Sequence, residues 1–132
     1  MDRPTPTRGM RHVAFHVRDL PAAEHFYVDL LGMQVEWRPD ADNLYLTSGT
    51  DNLALHASDR DIDPDRQSLD HIGFILAGPD EVDDWYAFLS TNGVEMKSSP
   101  RTHRDGARSF YCVGPEQVVI QMIYHPPIAG VC

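Results

Sequence analysis

The chain has 132 residues and is 42% hydrophobic, enough for one packed domain and too apolar for disorder. Its net charge of −9 (11 basic, 20 acidic residues) disfavours phosphate backbones and anionic membranes, and no basic stripe offsets it, so neither nucleic acid nor membrane is expected as a partner. No apolar run is long enough to span a bilayer, the opening MDRPTPTRGM holds no signal-peptide apolar core, and two cysteines, Cys112 and Cys132, fit a cytoplasmic chain with reduced thiols.

Met1–Met10, with two prolines, reads as a flexible arm. His12–Val17 alternates, so His12, Ala14 and His16 face one way and Val13, Phe15 and Val17 the other. Asp19 is placed to cap a helix with Pro21 in its first turn. Ala22, Ala23, Phe26, Tyr27, Leu30 and Leu31 give that helix an apolar stripe, and Gly32 ends it. Met33–Arg38 is a strand. Asn43–Ala57 is a hairpin turning at Ser48-Gly49-Thr50. Residues 58–69 read as a solvated linker.

The order then repeats. His71–Leu76 is a strand, Asp80 is the expected cap, and Val82, Trp85, Tyr86 and Leu89 form a second stripe. Val94–Lys97 is a strand, Ser98–Arg108 a polar loop, and Ser109–Tyr124 a closing hairpin, with a tail at 126–132. The repeat is visible in the letters: RHVAFHVRDL (Arg11–Leu20) returns as DHIGFIL (Asp70–Leu76). The chain is therefore expected to be α+β, two tandem βαβββ modules (11–57 and 70–125) in a single domain at 11–125, curved around a concave site. Eight strands and two helices are expected.

A twofold repeat places equivalent residues around one axis. His12 matches His71. Laying Tyr45–His56 over Phe110–Gln121 without a gap matches His56 with Gln121. Three imidazoles and an amide oxygen from four strands form a plausible shell for a divalent transition metal. A two-residue shift of register would put Ala54 in place of His56. His16 shares the face of His12 but lies about 13 Å along the strand, too far for the same ion, and reads as pocket wall.

HVAFHVRDL, a helix with an aromatic pair, then LLGM and the βαβββ duplication resemble the vicinal oxygen chelate superfamily over nearly all of 10–124. That group includes glyoxalase I, methylmalonyl-CoA epimerase, fosfomycin and bleomycin resistance proteins, and extradiol dioxygenases. The resemblance implies metal ligands on the first and last strand of each module, which are His12, His71, Gln121 and one residue of Leu53–Ala57. Family members usually carry Glu where Gln121 stands, and in lyase- and epimerase-like members a ligand Glu is also the base. Gln cannot take a proton from carbon. His103, Phe110-Tyr111 and the Gly114-Pro115 turn resemble the extradiol dioxygenase signature, with His103 and Tyr111 as acid–base and hydrogen-bonding groups beside the substrate. Gly114, Gln117 and Gln121 depart from it. A charge-poor ligand set should favour an anionic bidentate oxygen ligand. The reading that follows is an extradiol-type dioxygenase on a small oxygenated molecule, with Fe(II) favoured over Ni, Co, Zn or Mn. The alternatives are a glyoxalase-type lyase or isomerase and a non-catalytic drug-sequestering protein. Small members of this superfamily usually pair as homodimers, so a homodimer is expected.

Overall fold

The structure, a computed structural model, describes residue 3 and residues 10–58 and 69–126. The expected arm, linker and tail, and Cys132, fall largely outside the described residues.

Two sheets carry the fold. In the first, β1 (His12–Val17), β2 (Gln34–Asp40), β3 (Asn43–Thr47) and β4 (Asn52–Ala57) lie in the order β1-β4-β3-β2. In the second, β5 (Ile72–Ile75), β6 (Glu95–Met96), β8 (Arg108–Val113) and β9 (Val119–Tyr124) lie in the order β5-β9-β8-β6, with the short β7 (Arg101–Thr102) also on β8. Each module runs its first strand parallel to its last and closes with antiparallel pairs. Both sheets are open, as expected of two βαβββ modules. The strand β7 is a ninth, inside the stretch expected to be loop: Arg101 and Thr102 pair with Ser109 and Arg108.

The first helix starts at α1 (Leu20–Glu24), where the Asp19 carboxylate accepts from the Ala22 amide at 3.0 Å. It then widens into a π-helical turn, His25–Leu30. The widened turn sends both Phe26 and Tyr27, neighbours in the chain, into the core. Gly32 ends it at φ 84, a backbone region that suits glycine. Helix α2 (Pro79–Thr91) is capped by Gly78 rather than Asp80. Pro79 fills the first helical position, where its missing N–H costs nothing, and this moves Asp80 into the first turn, where a carboxylate suits the helix dipole.

Alternation divides each sheet into two faces. Phe15, Val17, Leu44, Leu46, Leu53 and Leu55 from the first sheet meet Phe74, Phe110, Cys112, Ile120 and Met122 from the second in one core. Burying such a side chain contributes about 1.5–3 kcal/mol. Tyr27 joins the modules: its ring meets Phe15 edge-on at 6.4 Å and Phe74 at 6.3 Å. Its hydroxyl is buried without a hydrogen-bond partner among the described residues, and burial pushes the phenol pKa up. Cys112 is fully buried, and burial pushes its thiol up to about 11, so it is an inert core residue.

A second tie crosses between the modules. Pro115–Gln117 forms a 3-10 turn inside the expected closing hairpin. Glu116 and Gln117 hold φ of 65 and 64, unusual for residues with a side chain. The Glu116 carboxylate accepts from the amides of Arg18 and Asp19, the latter at 2.7 Å, and so caps the entry to the first helix from the other module. Beside it, a Cβ on Gly114 would come within 3.2 Å of Ile120 and 3.4 Å of Phe26, so any larger residue there would press on both side chains.

Candidate functional site

The candidate residues lie on the sheet faces turned away from the shared core. On the first sheet these are His12, Ala14 and His16 of β1, Asn52, Ala54 and His56 of β4, Tyr45 of β3 and Trp37 of β2. The β1–β4 register pairs His12 with Asn52, Ala14 with Ala54, and His16 with His56. Trp37, 59% exposed, stacks on Tyr45 at 5.2 Å. Tyr45 in turn meets the His56 ring edge-on at 5.9 Å.

Two of these histidines are held by the same device. The Nδ2 of Asn52 donates to Glu36 at 3.0 Å, which leaves the Asn52 Oδ1 to accept from His12 Nδ1 at 2.7 Å. The Nδ2 of Asn43 donates to both carboxylate oxygens of Asp40, at 2.9 and 3.1 Å, which leaves its Oδ1 to accept from His56 Nδ1 at 2.6 Å. An oxygen that can only accept places the ring proton on Nδ1 and the lone pair of the neutral ring on Nε2. His71 is anchored more simply, its Nδ1 lying 2.7 Å from the Asp70 carboxylate. Three imidazoles thus share one tautomer, the one that a carboxylate or carbonyl partner imposes on metal-ligating histidines.

On the second sheet, Gly73 pairs with Gln121, and Tyr111 pairs with Gln121 from the other side. The Gln121 Oε1 lies over Gly73, and the His71 ring stands edge-on to Tyr111 at 5.4 Å. His103 reaches the Ser109 hydroxyl at 3.2 Å, two residues along β8 from Tyr111 on the same face. His71, Tyr111, Gln121 and His103 therefore gather around the second sheet's outer face.

The register corrects one match in the repeat. His12 stands two residues before the Ala14–Ala54 pair, and His71 stands two residues before the Gly73–Gln121 pair. Tyr45 faces Ala54 as Tyr111 faces Gln121. The counterpart of Gln121 is thus Ala54, not His56. The gapless alignment slipped by two residues: one because it set Tyr45 over Phe110 rather than Tyr111, and one because the second module's hairpin turn, built on Glu116 and Gln117, is one residue longer between these pairs. His56 instead sits beside His16, their ring centroids 6.1 Å apart. Both the amide relays and the Trp37–Tyr45 stack escaped sequence reasoning, because each depends on cross-strand register. Among the described residues, no three His, Cys, Asp or Glu side chains cluster closely enough to hold a metal.

A cleft of about 580 Å³ also opens near the start of β1, lined by Arg11, Val13, Asp51, Phe74, Glu81 and Trp85 among others. None of the six residues singled out from sequence lines it.

The module order and the outward polar faces have a known counterpart. A family model described as the Glyoxalase/Bleomycin resistance protein/Dioxygenase superfamily matches residues 9–122. The chain belongs to this superfamily. Among solved structures, a glyoxalase/bleomycin resistance protein/dioxygenase from Alicyclobacillus acidocaldarius is 25% identical, with a TM-score of 0.69 over 90% of this chain and 92% of that one. A lactoylglutathione lyase from Agrobacterium tumefaciens is 20% identical, with a TM-score of 0.75 over 91% of this chain and 96% of that one. An integron cassette protein from the Halifax Harbour sewage outfall metagenome reaches a TM-score of 0.76 at 20% identity, over 90% of this chain and all (100%) of that one. The last two likenesses establish the superfamily's fold and no reaction. None of the curated proteins matches the chain. No helix among the described residues is long and apolar enough to cross a membrane.

At the four positions where the resemblance implies metal ligands, the register places His12, Ala54, His71 and Gln121. Three of these fit a divalent transition metal by donor chemistry: two imidazoles with Nε2 lone pairs and an amide oxygen. The fourth is a methyl group.

Proposed function

We propose that the protein is a metal-dependent enzyme of this superfamily acting on a small oxygenated molecule. The reaction proposed is extradiol-type dioxygenation, in a homodimer that brings the outer face of one sheet against that of a second copy. His12, His71 and Gln121 would hold the metal, which when bound supplies a Lewis acid for two adjacent substrate oxygens. One observation carries the reading: the anchoring of His12 and His71 through Nδ1, which presents Nε2 to the open face.

The remaining roles belong to the chain's own groups. Gln121 and Ala54 carry no ionisable oxygen, so a carbon-bound proton finds no carboxylate base at these positions, and lyase or epimerase chemistry is disfavoured. Tyr111, edge-on to His71, is placed to hydrogen-bond a substrate oxygen, and His103 is the nearby group that exchanges a proton. A ligand set with no negative charge favours a dianionic catecholate-type oxygen pair over a neutral one.

The test is metal analysis of untagged protein, followed by oxygen uptake with a panel of catechols. Bound Fe(II) near one equivalent and catechol-dependent oxygen consumption are expected, with His71→Ala losing both. Gln121→Glu, which restores a carboxylate, should tighten metal binding at least tenfold. Less than a tenth of an equivalent of metal after loading with Fe(II), Ni(II) or Co(II) would overturn the proposal. A second reading, a drug-sequestering protein that needs no metal, is favoured by the exposed Trp37–Tyr45 stack, a platform for a planar ring. It predicts quenching of Trp37 fluorescence by an aromatic ligand in metal-free protein.

A further inference from the structure

Two histidines left outside that set, His16 and His56, form a pair of their own. His16 and His56 stand directly opposite each other on adjacent parallel strands, on the same outer face, with ring centroids 6.1 Å apart and planes tilted by 54°. His56 is held from two sides: Asn43 fixes its Nδ1 proton and Tyr45 packs edge-on against its ring. The Asp40–Asn43–His56 relay leaves Nε2 of His56 with a lone pair. His16 is exposed on the same face. Two imidazole nitrogens about 2.0–2.1 Å from a shared ion are compatible with rings at this separation.

We propose that His16 and His56 form a second cation site, separate from His12 and His71, that takes a borderline transition-metal ion such as Ni(II), Zn(II) or Cu(II). Nitrogen donors without a carboxylate select against Mg(II) and Ca(II) and for ions late in the first transition row. His12 cannot share the ion, being four residues, about 13 Å, away along β1. The site has a structural meaning. Among the described residues, strand β1 has only β4 as a neighbour in its sheet, so an ion spanning His16 and His56 clips the sheet edge at the end where the chain turns into the first helix.

The experiment is Ni(II) titration by calorimetry on untagged full-length protein carrying His12→Asn and His71→Asn, which removes the first site and so separates the two proposals. This background should bind one equivalent of Ni(II) and melt at a higher temperature with Ni(II) than without. Adding His16→Asn or His56→Asn should abolish both effects, with unchanged circular dichroism showing that the fold is kept. Adding Asn43→Leu, which breaks the relay but leaves both rings, should weaken binding about tenfold or more. Absence of binding in the double variant, or binding that persists after His16→Asn or His56→Asn, would overturn the site.

Discussion

The two modules share one plan and differ at its working points. In the second, Gly73, Gln121 and Tyr111 line one rung of the outer face, so a polar head lies beside His71. In the first, the same rung holds Ala14, Ala54 and Tyr45, roofed by Trp37. Donor chemistry at that rung is concentrated in the second module and aromatic surface in the first. The first module carries its additional imidazoles one rung along, where His56 faces His16. A duplicated fold can thus keep its topology while its two halves specialise.

The strongest way to break this comparison is to ask whether the halves stand alone. Leu55→Ala in the first sheet and Ile120→Ala in the second should each cost about 2–5 kcal/mol. Because both side chains are fully buried in one core, each variant should still unfold in a single transition by urea, followed by fluorescence and circular dichroism. Two separated transitions would show modules that fold independently.

A smaller effect sharpens the link between them. Glu116→Ala removes the carboxylate that caps the first helix from the second module and should cost about 1 kcal/mol. Glu116→Gly should cost less than Glu116→Ala, because glycine relieves the left-handed backbone at that residue. Equal losses would mean that backbone conformation there matters little.

The smallest effect lies within the second module. Arg108 donates to both oxygens of Asp83, at 3.1 and 2.7 Å, and so ties β8 to α2. Its hydrogen bonds hold the Asp83 carboxyl below the usual carboxylate range, so the stabilisation is full above the unfolded Asp pKa and lost as pH falls through the folded value. Asp83→Asn should therefore be modestly less stable than the parent at neutral pH, and the gap should close on acidification. A gap that persists at low pH would assign the loss to packing rather than charge.

The sequence made the modules, their order and the sheet faces legible because alternation and glycine punctuation are local signals. His12–Val17 and the stripe of Val82, Trp85, Tyr86 and Leu89 needed no partner strand to be read. Register was different. Whether His56 or Ala54 answers Gln121 depends on how many residues the far hairpin spends turning, and Glu116 and Gln117 spend them in a backbone region that their side chains do not advertise. The short β7 was hidden for a related reason, since two residues pairing with β8 leave no period to detect. The amide relays on His12 and His56 require partners 40 and 13 residues away in sequence.

The separation of faces has a consequence for how such a chain can change. Phe15 and Val17 of β1, Leu53 and Leu55 of β4, Phe110 and Cys112 of β8, and Ile120 and Met122 of β9 serve the interior, while His12, His16, Tyr111 and Gln121 alternate with them on the other face. Substitutions at His12, His16, Tyr111 or Gln121 leave the interior's packing intact, so selection can explore them at little risk to folding. A scaffold arranged this way can trade one small molecule for another by rewriting a few outward letters, which makes it a ready starting point for new specificities.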